Sequence, residues 1–174
     1  MASQKFNSFS FLLLAIIVSV FAHVVLATRI QVSPFCRASR TRELCNTMAK
    51  GATSWHDAIG NAISGTLSLA EELQSKNGLI APAIANLSPA AKKSLQGTCK
   101  ESFQTVIDML QEGQVALAAG DNGTLQIKLS AALDTECDDE LSNFGGTFPL
   151  ANMAKELTKK VSICLVITAQ NVGA

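Results

Sequence analysis

The chain has 174 residues, 48% of them hydrophobic, and its 14 basic side chains are balanced by 14 acidic ones. That length suits one domain of ordinary size with a buried core. The balanced charge excludes the strongly basic surface on which nucleic-acid binding depends.

Residues 1–27 stand apart from the rest. Lys5 gives a positive start, Phe9 to Leu26 is almost wholly apolar, and Val25-Leu26-Ala27 supplies small residues at a cleavage point. This is the layout of a secretory signal, predicted to be cut after Ala27 and to send the chain out of the cell. An uncleaved membrane anchor would need a longer unbroken apolar run, and His23 interrupts this one. Cleavage removes Lys5 alone from the 14 basic and 14 acidic residues, leaving a net charge of −1. No later run is apolar enough to span a bilayer, so no membrane contact is expected after cleavage.

Residues 28–50 are predicted to be a short N-terminal extension pinned by Cys36 and Cys45, with Pro34 at its start. The pair is too far apart for one helical turn, so the segment must double back, as a small helical hairpin does. Residues 51–174 form the main domain. Ser54 with Asp57 resembles a capping box, and a helix then follows Ile59, Ile63, Leu67, Ala70 and Leu73 toward Leu87, with a break expected at Asn77-Gly78 and Pro82. Ser88 as N-cap and Pro89 in the first turn open a second helix with the stripe Leu95, Cys99, Phe103, Val106, Leu110 and Leu117, ended at Gly120 to Gly123. A third is expected to start near Thr124 and to carry Leu125, Leu129, Leu133 and Cys137 at four-residue steps. After a turn at Asn143 to Gly146, with Pro149 in its first turn, the last carries Leu150, Met153, Leu157, Val161, Cys164 and Thr168. The predicted fold is all-α: an up-and-down four-helix bundle preceded by a short helical hairpin.

Five cysteines with one left over allow fifteen pairings. Pairing Cys36 with Cys45 and Cys99 with Cys137 keeps the local pair together and leaves Cys164 inside the apolar run Ile163 to Ile167, where a thiol is usually buried and inert. Helix arithmetic resists this choice. From the Gly120 turn, Cys99 lies about 30 Å up the second helix and Cys137 about 20 Å up the third. Tilt, or an extended stretch before Cys137, would have to close the gap.

Chemistry is sparse. After the signal, His56 is the single histidine, no zinc-ligand spacing occurs, and neither a serine nor a cysteine nucleophile has a base at hand. Hence no cofactor, no metal and no enzymatic activity are expected. Asp134, Glu136, Asp138, Asp139 and Glu140 crowd together, as a solvated face or a partner-recognition patch does, and a surface of that sign repels polyanions, so direct pectin binding is not expected. Asn86-Leu87-Ser88 and Asn122-Gly123-Thr124 are glycosylation sequons, consistent with secretion. A small-molecule carrier of the secreted, disulfide-bonded kind usually has more cysteines than five.

Together, Cys36-Arg-Ala-Ser-Arg40-Thr-Arg-Glu-Leu-Cys45, Gly97-Thr98-Cys99 running into Phe103, Leu129-Ser-Ala-Ala-Leu133 ahead of Cys137, and Cys164-Leu-Val-Ile-Thr168 closely resemble the plant invertase and pectin methylesterase inhibitor family. The likeness covers essentially the whole chain after the signal. It implies a cell-wall (apoplast) protein with the two bridges above that acts by occluding an enzyme. Cys164 matches an unpaired cysteine typical of inhibitors of pectin methylesterase, whereas the Pro-Lys-Phe of many invertase inhibitors is replaced by Asn122-Gly123-Thr124-Leu125. Pectin methylesterase is therefore the expected partner and invertase the alternative. The family usually has Thr directly before the fourth cysteine; here Glu136 stands between Thr135 and Cys137. The resemblance implies Glu101, Thr135 and Asp138 as partner-binding residues, and expected exposure adds Asp121, Gln126 and Lys128.

Overall fold

The computed structural model describes residues 32–133, 136–143 and 148–171, without the side chains of Glu136, Asp138 and Ser142. The predicted signal segment, Thr135 and most of the turn placed at Asn143 to Gly146 lie outside the described residues.

A 3-10 turn, Pro34–Cys36, precedes helix α1 (Arg42–Ala49). The bundle follows as α2 (Trp55–Ser75), a 3-10 segment (Asn77–Ile84), α3 (Pro89–Ala118), α4 (Asn122–Ala131), α5 (Glu136–Asn143) and α6 (Ala151–Ala169). α2 packs on α3 and α6, and α4 packs on the same two, so α2, α3, α4 and α6 close a four-helix ring. Ile59, Ile63, Leu73, Leu95, Phe103, Leu110, Leu125, Leu129 and Leu157 fill its centre, each fully buried. The heptad-like stripes read from the sequence are therefore the core, with Leu67, Leu133 and Met153 only partly covered.

Local chemistry sets the helix ends. Ser54 Oγ accepts from Asp57 N at 3.0 Å, the N-cap half of a capping box, and the Ser54 hydroxyl, not its backbone N–H, donates to Asp57 Oδ2 at 2.7 Å. The indole N–H of Trp55 donates to Ile167 O at 2.9 Å, tying the start of α2 to the end of α6. Ser88 caps α3 through Ala91 N, with Pro89 as its first residue. At the other end Gly120 adopts φ 70°, Asp121 N donates to Ala116 O and Gly120 N donates to Leu117 O. That pair of bonds is a Schellman motif, which a residue with a Cβ would strain.

Both disulfides form as expected: Cys36 with Cys45, Cα atoms 5.7 Å apart, and Cys99 with Cys137, 4.5 Å apart. The structure differs from the sequence reading on how Cys137 gets there. The third helix does not reach Cys137: α4 stops at Ala131 and α5 starts afresh at Glu136, so of the two ways offered to close the gap the chain uses a break before Cys137. The acidic run explains the break. At the end of one long helix, Glu136 to Glu140 would sit against the negative end of the dipole; at the beginning of a new one they meet its positive end. The break also answers the length objection, since α5 packs directly on α3. The break expected at Asn77-Gly78 and Pro82 is present: residues 77–84 form a 3-10 segment around Pro82, which cannot donate to an α-helical ladder. One smaller correction is that Pro149 lies before α6, not in its first turn.

Cys164 is the free cysteine and is buried between α6 and α2. Thr66 donates its hydroxyl hydrogen to Ala62 O at 2.7 Å, so the contact of 3.5 Å between Thr66 Oγ1 and Cys164 Sγ is one in which the thiol donates. Burial pushes the thiol up to about 12, which makes it a packing residue and a poor nucleophile.

Candidate functional site

Two large apolar side chains are exposed on α3 and α4. Val115 on α3 is 71% exposed and Ile127 on α4 67% exposed. Neither belongs to a core stripe. A shallow groove is lined by Glu112, Val115, Ala116 and Ala119 on the α3 side and by Asp121, Thr124 and Lys128 on the α4 side, without Ile127. Gly113 faces α4 here, and a Cβ on it would meet Leu125 Cδ1 at 3.6 Å, an ordinary van der Waals contact.

The groove brings together two of the residues expected from exposure, and gives each a structural task as well. Asp121 is the N-cap of α4, its Oδ1 accepting from Thr124 N at 2.9 Å. The backbone N–H and hydroxyl of Thr124, with help from the Gly123 N–H, hold this carboxyl below its ordinary value, so it stays ionised at the rim. Lys128 forms an ion pair with Glu112, bridging α4 to α3 across the groove. It is thus half-occupied internally. Gln126 is exposed but lies about 200° around the helix from Lys128, outside the groove.

Glu101 is exposed on the same helix as Val115, about 16 Å before Glu112. It lines a separate shallow depression with Lys93, Gly97 and Thr98. Two residues before it, Cys99 is bridged to Cys137, so the start of α5 is clamped beside Glu101. Thr135 and the side chain of Asp138 lie outside the described residues, although the backbone of Asp138 sits next to the clamp. Asn86, in the turn before α3, and Asn122, the first residue of α4, are both exposed.

Sequence reasoning missed Val115, Ile127 and Glu112. A signal existed for the first two, because apolar side chains outside a helical core stripe mark surface available for docking. As for chemistry, His56 is exposed at the start of α2, and among the described residues no three His, Cys, Asp or Glu side chains gather in a way that could hold a metal. The face offers hydrogen-bond acceptors and apolar contact, which suits a protein surface.

A family described as plant invertase/pectin methylesterase inhibitor matches residues 31–167. No curated relative matches by sequence. Among solved structures, a mutant form A of a pectin methylesterase inhibitor from Arabidopsis is similar with a TM-score of 0.64 and 21% identity, covering 80% of this chain and 95% of that one. A second pectin methylesterase inhibitor, from Arabidopsis thaliana, is similar with a TM-score of 0.58 and 24% identity over 73% of this chain and 83% of its own. At these identities the likeness is one of fold.

Proposed function

Because the chain belongs to the plant invertase/pectin methylesterase inhibitor family, we propose that it is a secreted inhibitor of pectin methylesterase, whose α3, α4 and α5 face lies across the enzyme's active-site cleft and keeps pectin out. The observation that carries this reading is Val115, exposed beside the carboxylates of Glu112 and Asp121 in the groove between α3 and α4, on the helix to which the Cys99 to Cys137 bridge also ties α5.

Each part has a physical role. Apolar side chains at the centre of an interface supply binding energy when water is excluded from them. The carboxylates around them complement the basic side chains of an enzyme that handles a polyanion, which favours encounter and orientation. A covalently fixed face loses little conformational freedom on docking, so more of the contact energy appears as affinity. Glu101, Thr135 and Asp138 extend the proposed contact toward α5, and Asp121 and Lys128 are assigned to its α4 side, whereas Gln126, on another flank of α4, is left out of it.

The replacement of Pro-Lys-Phe by Asn122-Gly123-Thr124-Leu125 favours pectin methylesterase over invertase. The test is to titrate the purified chain against each enzyme and follow residual activity. Stoichiometric loss of pectin methylesterase activity with invertase unaffected is the expected result; the reverse pattern would transfer the proposal to invertase.

A further inference from the structure

The near-zero net charge conceals a strong division. Residues 37–50 and 151–171, which form the N-terminal loop, α1 and α6, carry seven basic residues and two acidic ones, a net of +5; residues 51–143 carry five and twelve, a net of −7. The fold places the basic segments together, because the Pro34–Cys36 turn and α1 pack on α6. Between them runs a groove whose rim includes Arg40 and Lys159, whose hydroxyls include Thr41 and Ser162, and whose floor includes Ile163 and Val166. Arg40 and Arg42 also line an adjoining depression, together with Glu43, so two cations and one carboxylate continue around the loop.

Among the described residues, Arg40, Arg42 and Lys159 take part in no ion pair, whereas Glu156 is already engaged by Lys160 at 3.7 Å. The loop that carries Arg40 is held in place by the Cys36 to Cys45 bridge and by a bond from Thr41 N to Ser39 Oγ at 3.2 Å. These are cations presented at a fixed spacing with their counter-charges left to a ligand.

We propose that this groove binds a linear polysaccharide bearing carboxylates, of the kind left when pectin is de-esterified. Arg40 and Lys159 meet the carboxylates, Thr41 and Ser162 bond the sugar hydroxyls, and the faces of the rings rest on Ile163 and Val166. The groove has no aromatic side chain, so it offers no stacking platform for nucleobases, and a nucleic acid is the poorer fit. The acidic run on α5 does not oppose this ligand, since α5 packs on α3 and the groove is built from the loop and α6. The expectation that pectin is not bound rested on the acidic cluster from Asp134 to Glu140, and this groove is built from other elements. The choice of sugar rests on the inhibitor reading, but the site rests on the charge division alone. Its consequence is a tether that would hold the inhibitor on the product of its target enzyme.

The experiment measures binding of the full secreted chain to immobilised polygalacturonate, fully methyl-esterified pectin and duplex DNA, at two salt concentrations, alongside inhibition of pectin methylesterase in solution. Binding to polygalacturonate that weakens with salt and is absent for the esterified polymer is expected. Arg40→Gln combined with Lys159→Gln is expected to weaken it by about tenfold or more, with inhibition and thermal unfolding midpoint unchanged. Equal binding of the two pectins, equal or tighter binding of DNA, or a double variant that binds like the parent would overturn the site. So would loss of both binding and inhibition in a folded double variant, which would assign the groove to the enzyme interface. A chain that binds polygalacturonate through Arg40 and Lys159 but inhibits nothing would leave this site standing and remove the inhibitor reading.

Discussion

The two disulfides serve opposite ends of the molecule. Cys36 and Cys45 are 9 positions apart and fix a basic loop against α6, whereas Cys99 and Cys137 are 38 apart and clamp the acidic helix α5 onto α3. One is a local staple on a small appendage; the other restrains a long stretch of the bundle. The difference teaches that covalent links here are matched to surfaces: each holds in place a patch of one sign of charge, and the core between them is carried by packing.

Chain-entropy reasoning ranks the two. Removing the longer link, by Cys99→Ser with Cys137→Ser, is expected to cost about 4 kcal/mol, and removing the shorter one, by Cys36→Ser with Cys45→Ser, about 2.5 kcal/mol, both readable by chemical denaturation. The functional effects should separate more sharply than the stabilities. Loss of the longer bridge frees α5 and weakens inhibition of pectin methylesterase; loss of the shorter leaves inhibition intact. If both variants inhibited equally well, the assignment of the docking face to α3, α4 and α5 would be wrong.

Much of this architecture was legible in the chain. α3 was readable almost to the residue, because Ser88, Pro89 and Gly120 each act within one turn of the backbone. The interruption between α4 and α5 was legible only as one of two ways, beside tilt, of bringing Cys137 to Cys99. Leu125, Leu129, Leu133 and Cys137 keep a four-residue step across it, so periodicity alone continues the helix. The competing signal was electrostatic, five acids bunched where only the start of a helix tolerates them. The site was half readable: Asp121 follows from the Gly-Asp turn, but that Lys128 is taken up by Glu112 depends on how close two helices lie, which no single helix records. Likewise, the basic groove joins Arg40 to Lys159 across more than a hundred positions of sequence.

Smaller perturbations sharpen the contrast. Cys164 lies in the packed centre, apart from both charged patches, so Cys164→Ala should cost on the order of 1 kcal/mol from lost packing and alter neither inhibition nor polysaccharide binding. With its thiol pushed up to about 12, the parent should also resist thiol reagents at neutral pH until it unfolds. Asp121→Ala should destabilise α4 in a pH-dependent way. The folded carboxyl titrates below its ordinary value of 3.8, so its ionised contribution is present above that value and fades as pH falls through the folded one. The unfolding midpoints of parent and variant should accordingly differ near neutrality and draw together in acid. A gap that stayed constant would mean that the cap works without its charge.

The account turns on an exposed apolar patch being the docking surface, and Val115 is its most exposed member at 71%. Val115→Lys leaves the core untouched and keeps a good helix former on α3. In a titration of pectin methylesterase with folded parent and variant, the expected result is inhibition weakened by about tenfold or more, as for loss of a central contact in a binding face. Inhibition by the variant indistinguishable from that of the parent would contradict it.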